Sequence, residues 1–309
     1  MNSESNRATE PRPEGQMTAP DAGSRTQPFY WSVRRELWEN RSIYIAPLIV
    51  AALLLLGSAI SAFYLPERRR ALLLLDPEVQ RAAVEQPYDT AAMIILATAF
   101  IVGIFYCLDA LHGERRDRSI LFWKSLPVSD LTTVLSKASI PLVVLPLITF
   151  ATIIATQLIM LLLATIVLQL NGLGAETWTP VPWFQASLIL PYGLVALALW
   201  HAPIYGWLLL VSAWARRTTF LWAVLPPLAL CIVEKIAFNT SYLASLLKDR
   251  LFGFAADAFA FEGHGTSMHT LAQLTPGKFL GSPGLWIGLA IAAAFLAATI
   301  RLRRYRGPI

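Results

Sequence analysis

Side chains able to do chemistry are few in this 309-residue chain, and their spacing limits what they can do. The four histidines, His112, His201, His264 and His269, are scattered. No His-Glu-x-x-His pair sets two imidazoles on one helix face around a metal. His264 and His269 share a glycine-rich stretch, where chance proximity is a simpler reading than a metal site. His201 lies midway along an apolar run beside Pro203. A polar ring there must find a partner on a neighbouring helix; a ligand or proton-relay role is the rarer alternative. Glu234 and Lys235 stand together at the end of another apolar run, where charge is costly and often functional. Adjacent residues on a helix do not face each other. The pair therefore reads either as a plain interfacial position, with Lys235 snorkelling, or as part of a path through the protein. Cys107 and Cys231 both fall in apolar runs, and two buried thiols make neither a disulfide framework nor a metal site. The only Gly-Lys pair, Gly277-Lys278, is followed by Phe279 and has Ala272 where a phosphate-cradling loop needs its first glycine. Nucleotide hydrolysis by this chain alone is therefore not expected.

The densest chemistry is a charged block, Asp109-Ala-Leu-His-Gly-Glu114-Arg115-Arg116-Asp117-Arg118-Ser119-Ile120-Leu121-Phe122-Trp123-Lys124-Ser125-Leu126-Pro127-Val128-Ser129-Asp130, running on to Lys137. Asp109 reads as the helix end at the water boundary. A loop that merely joins two helices would be short and polar. This one sets Ile120, Leu121, Phe122 and Trp123 inside a basic frame, as a docking surface for a partner does. Burial of Trp123 against the chain's own helices is the alternative.

The elements that hold these residues are membrane spans. The chain is 56% apolar and 15% charged, against about 25% charged in soluble domains. Several runs reach the ~20 apolar residues that cross a bilayer. The predicted fold is all-α and polytopic, with six transmembrane helices near 43–65, 91–111, 138–170, 186–213, 220–237 and 285–302. The third is too long for one perpendicular crossing, so it should tilt or project, bent at Pro141 and Pro146. Pro191, Pro203 and the Pro226-Pro227 pair predict further helix breaks. Residues 29–41 place Tyr30, Val33, Leu37 and Trp38 at helical spacing among Arg34, Arg35, Glu36 and Arg41. They predict an amphipathic helix in the interface before the first span, with an ordinary lead-in as the alternative. Residues 1–28 are polar, hold four prolines and read as a disordered cytoplasmic tail ahead of a transmembrane domain over 29–309. Leu72 to Leu75, apolar between charged ends, predict that 66–90 is helical, and Leu243, Leu246, Leu247, Phe254, Ala258 and Phe259 predict a short helix or a re-entrant pair at the outer surface within 238–284.

Orientation follows from Lys and Arg. With six spans both termini share a side, and that side holds 17 of the 25 basic residues, so it is the cytoplasmic one. The first span alone points the other way, with Arg68, Arg69, Arg70 and Arg81 after it against Arg34, Arg35 and Arg41 before it. The later loops outweigh it. A net charge of +5 then reflects loop bias rather than nucleic-acid binding.

The stretch Glu114 to Ser129, with its Leu-Pro-Val-Ser turn and the following Lys137, resembles the first cytoplasmic loop of ABC-2 type permeases. These are the membrane subunits of a class of ATP-binding-cassette exporters. The six spans, the N-terminal helix and the long segment before the last span are similar across the whole chain. The resemblance implies a coupling helix around Ser119–Ser125 that docks on a separate ATPase subunit. It implies coupling roles for Glu114, Ser119, Ile120, Leu121, Phe122, Trp123 and Lys124, together with Arg216 and Arg217 in the fourth-to-fifth connection. It further implies two ATPase partners, a second permease copy or paralogue, and a bacterial inner-membrane location. This chain would bind no cofactor, since ATP and Mg would sit on the ATPase. His201 and Glu234 are candidates for the translocation path. An intramembrane enzyme or a channel not driven by ATP is the competing class, but an enzyme needs convergent polar groups at one depth, and few are available.

Overall fold

The apolar runs fold as expected. In the computed structural model, which describes residues 27–121, 128–173, 183–259 and 273–305, six helices are long and apolar enough to cross a membrane. Among the described residues there is no strand, only an isolated bridge between Phe259 and Leu274. The first helix, α1, covers Gln27–Glu39. The first span is α2 (Ser42–Ser61), which continues through a 3-10 turn into α3 (Leu65–Leu72). The second is α4 (Pro77–Asp109), followed by the short α5 (His112–Arg116). The third begins as α6 (Asp130–Ser139), passes through a π turn at Ile140–Val144, and continues as α7 (Leu145–Leu170). Then come α8 (Trp183–Trp214) and α9 (Thr219–Phe238). Two short helices, α10 (Tyr242–Phe252) and α11 (Phe254–Ala258), precede α12 (Pro276–Gly281) and the last span, α13 (Pro283–Tyr305).

Both short segments contain helices, but of the Leu72 to Leu75 patch only Leu72 is helical, the other three forming the turn between α3 and α4; in the second segment the described helices are α10, α11 and α12. The third span is indeed over-long at 41 residues, and its first part projects as α6. The expected breaks at other prolines do not occur. Helix α8 runs unbroken through Pro191 and Pro203, and α9 through Pro226 and Pro227. Proline already has helical φ and removes only one N–H donor, so a helix supported on its other faces passes through it. Only at Pro141 and Pro146 does the backbone rewind. Pro146 has no N–H to give Leu142, and the Leu145 N–H reaches back five residues to the Ile140 carbonyl.

Helix α8 is the axis of the bundle. Of its apolar window 67% is buried, against 11% for α9, which hangs on the outside. Around α8 pack α4, α7 and α13, with Tyr106, Leu145, Tyr205, Leu209 and Ile43 in the central core. Gly206 faces the Ala292 backbone so closely that a Cβ would meet its carbonyl oxygen at 3.3 Å, which lets α8 and α13 pack almost backbone to backbone. A second apolar cluster forms where Phe259, just after α11, and Phe279 of α12 close over Trp200 and Leu285.

Candidate functional site

Helix α6 positions the first part of the site. Ser129 caps it by accepting a hydrogen bond from the Thr132 N–H at 3.1 Å, and Asp130 adds negative charge in its first turn. Val134, Lys137, Ala138 and Pro141 recur at i, i+3, i+4 and i+7 on the buried face. One of these inward positions is therefore a lysine, only 2% exposed. Helix α1 does the same in reverse, since Glu36 falls on its inward face beside Val33 and Leu37 and is 3% exposed. Lys137 Nζ meets Glu36 Oε1 at 2.7 Å, and the Tyr106 hydroxyl donates to Glu36 Oε2 at 2.9 Å. Two charges removed from water at several kcal/mol each are tolerable only when paired this closely.

The charged block adds the centre of the cluster. Glu114, on α5, is buried and faces three cations: Lys137 at 3.1 Å, Arg303 at 3.4 Å and Arg35 at 3.8 Å. Arg303, on the last turn of α13, also reaches Asp130 at 3.2 Å. Three cations thus oppose three carboxylates, drawn from α1, α5, α6 and α13. The contacts around Glu114 neutralise charge without fixing direction. Both of its carboxylate oxygens, and Nε and Nη1 of Arg303, lack a hydrogen bond of good geometry.

A second clasp ties the same block to α8. Ser212 Oγ accepts hydrogen bonds from the Leu111 and His112 N–H groups at 3.0 and 2.9 Å, which satisfies donors at the start of α5. In return Arg115 Nη1 donates to the carbonyls of Ala213 and Ala215 at 2.7 and 3.2 Å, covering acceptors at the end of α8. His112 lies 3.4 Å from the Arg216 carbonyl. The first loop and the fourth-to-fifth connection are therefore side by side.

Most of the sequence-named loop residues that are described fall into this region, but with different faces. Glu114 and Ile120 point inward, Ile120 being 2% exposed. Ser119 is half-buried, while Leu121, Arg216 and Arg217 are exposed. Residues 119–121 are helical; Phe122, Trp123 and Lys124 lie outside the described residues. So do His264 and His269. Sequence reasoning passed over Glu36, Tyr106, Arg115, Asp130, Ser212 and Arg303. The signal was present: Arg303 continues the buried stripe Ala292 and Thr299 on α13, as Lys137 does on α6.

The two path candidates lie elsewhere. His201 is buried with Nδ1 2.8 Å from the Leu197 carbonyl and Nε2 3.2 Å from that of Leu251, and its ring packs edge-on against Phe100. It joins α8 to α10, the helix-to-helix bond expected of it. Glu234 accepts from the Tyr242 and Leu243 N–H groups at 2.6 and 2.8 Å and from the Thr240 hydroxyl at 2.8 Å. It caps the N-terminus of α10. Arg250 holds the other end of that helix, donating to the Gly284 carbonyl at 2.7 Å and lying over the Trp200 ring at 4.5 Å. Burial lowers the Arg250 pKa from the ordinary arginine value.

The buried hydroxyls of α7 do not converge on one another. Thr149, Thr152, Thr156 and Thr165 each donate to the carbonyl four residues earlier. Among the described residues no group of three His, Cys, Asp or Glu side chains is placed to hold a metal. What the arrangement can do is mechanical: a displacement of the first loop must be felt by α1, α6, α8 and α13 together. No protein-family model, curated protein or solved structure matches this chain.

Proposed function

We propose that this chain is the membrane subunit of an ATP-binding-cassette exporter of the ABC-2 type. It pairs with a second permease copy or paralogue and with two separate ATPase subunits that hold ATP and Mg. The observation that carries the reading is the burial of Glu114. The residue at the head of the permease-like motif is the meeting point of cations from three other helices. A coupling loop must be mechanically continuous with the bundle it drives, and this cluster supplies that continuity.

In this reading both termini are cytoplasmic, the membrane is the bacterial inner membrane, and α1 lies in the cytoplasmic interface with Tyr30, Trp31 and Trp38 turned outward. Closure of the ATPase pair pushes on residues 119–125 and on the adjoining Arg216-Arg217 connection. The clasp at Ser212 and Arg115 passes the push to α8, and the ionic cluster passes it to α6 and α13. The bundle then exchanges inward- and outward-facing states, biased by whichever state the nucleotide-bound ATPase prefers. This chain itself hydrolyses nothing.

The test is copurification from the native membrane, followed by mass spectrometry. The expected result is a soluble chain carrying the Gly-x-x-x-x-Gly-Lys-Ser/Thr loop, with no ATPase activity in the purified permease alone. Robust hydrolysis by this chain, abolished by a substitution within it, overturns the reading.

A further inference from the structure

Helix α1 turns two unlike faces to its surroundings. Val33, Glu36 and Leu37 face the bundle, where Glu36 is buried against Lys137. Trp31, Arg34 and Trp38, at i, i+3 and i+7, share the opposite face. Both tryptophans are more than half exposed, and Tyr30 stands edge-on to Trp31 with ring centroids 5.6 Å apart. The guanidinium carbon of Arg34 lies 5.1 Å from the Trp31 ring centroid and 5.0 Å from that of Trp38, so both indoles hold one cation. Arg34 makes no hydrogen bond or ion pair with any described residue. Its neighbour Arg35 is bound to Glu39 at 2.7 Å and faces Glu114 at 3.8 Å. The next element bears on the level of this face. The first span, α2, begins at Ser42, four residues after Trp38, and its first turns already expose Ile45, Leu48 and Ile49. Trp38 therefore stands close to where lipid-facing surface begins, the level at which indoles gather in membrane proteins.

We infer that Arg34, held by Trp31 and Trp38, binds the phosphate of an anionic phospholipid in the adjoining leaflet. The inference rests on the interfacial position proposed for α1 and not on the ATPase partner. A cation–π contact steadies a guanidinium without consuming its N–H donors. Those donors form a planar fork that fits phosphate oxygens, and a lysine ammonium cannot copy it. A phosphatidylcholine headgroup fits less well. Its choline would compete with Arg34 for the indole faces, and its own cation already offsets the charge of its phosphate.

The test places a photo-crosslinking benzophenone side chain at Tyr30 of the full chain, in nanodiscs of equal parts phosphatidylglycerol and phosphatidylcholine. Mass spectrometry of the adducts reads which lipid lies on this face. Phosphatidylglycerol adducts should exceed phosphatidylcholine adducts about tenfold, the ratio expected for one charge-assisted contact. Arg34→Gln, with no ion pair to lose, should keep the melting temperature and bring the two lipids to parity. Arg34→Lys keeps the charge without the fork and should fall between the two. Equal adducts with Arg34 in place, a ratio unchanged in Arg34→Gln, or a lysine variant as selective as the wild type overturns the site. Absence of any lipid adduct would place α1 off the bilayer and overturn its interfacial position as well. Adducts to a protein chain rather than to lipid, in native membranes, would mark this face as a protein contact and likewise overturn the site.

Discussion

Lys137 shows how much one side chain can control. It is 2% exposed and holds Glu36 and Glu114 at 2.7 and 3.1 Å, so replacing it leaves two buried carboxylates facing each other. Removing one partner of a buried ion pair costs about 3–5 kcal/mol. Lys137→Met should therefore lower the melting temperature of the detergent-solubilised chain sharply, and adding Glu36→Gln to it should recover part of the loss. A double variant no more stable than the single one would show that the cluster is not coupled. Arg115 tests the other clasp. Arg115→Ala exposes the carbonyl end of α8, and hydrogen exchange of residues 213–218 should quicken while the rest of the bundle stays protected.

At the level of elements, Glu234 and α10 make the case. With Glu234→Ala the Tyr242 and Leu243 N–H groups lose their acceptor, and their hydrogen exchange should accelerate without change in the global melt. Loss of the whole fold would mean that α10 is not a peripheral helix. If the proposed docking of the first loop holds, Phe122→Asp or Trp123→Asp should leave a folded protein that releases the ATPase subunit in pull-downs, since aromatic anchors dominate interface energies. Folded variants with undiminished ATPase binding would sink the docking role. Element by element, the spans were legible because twenty apolar residues have few other uses, and the long third span because its length exceeds the bilayer. The ionic cluster was not. Glu36, Lys137 and Arg303 are each a single charge on an otherwise apolar helical stripe, and a stripe names the face without naming what it meets. Glu36, Glu114 and Arg303 lie far apart in sequence, and only the packing of four helices brings them together. The proline breaks misled for a local reason: the lost N–H bond was visible, but not the neighbours that support the helix around it.

For the molecule as a whole, topology is the decisive measurement. In a background without Cys107 and Cys231, cysteine placed at Ser119 or Arg304 should be labelled only from the cytoplasm, and at Gly174 or Gly265 only from outside. Labelling of Gly174 from the cytoplasm reverses the orientation and with it the coupling role of the charged block. Helix α9 bears on assembly. With Ala223 the one buried residue along it and apolar side chains such as Leu228, Ile232 and Val233 exposed, it leaves a broad surface for lipid or for a second copy.

The wide turn at Ile140–Val144 sets the phase between two halves of one helix. It stores one residue more than an α turn would. Winding that residue in would swivel α6 by about 100° against α7 and shift it about 1.5 Å along the axis. Lys137, eight residues before the start of α7, would then sweep out from between its carboxylates, because the end of α13 that holds Arg303 would not turn with it. The turn therefore fixes where Lys137 stands in the charged cluster, and rewinding it as an α turn would move that lysine without breaking the span.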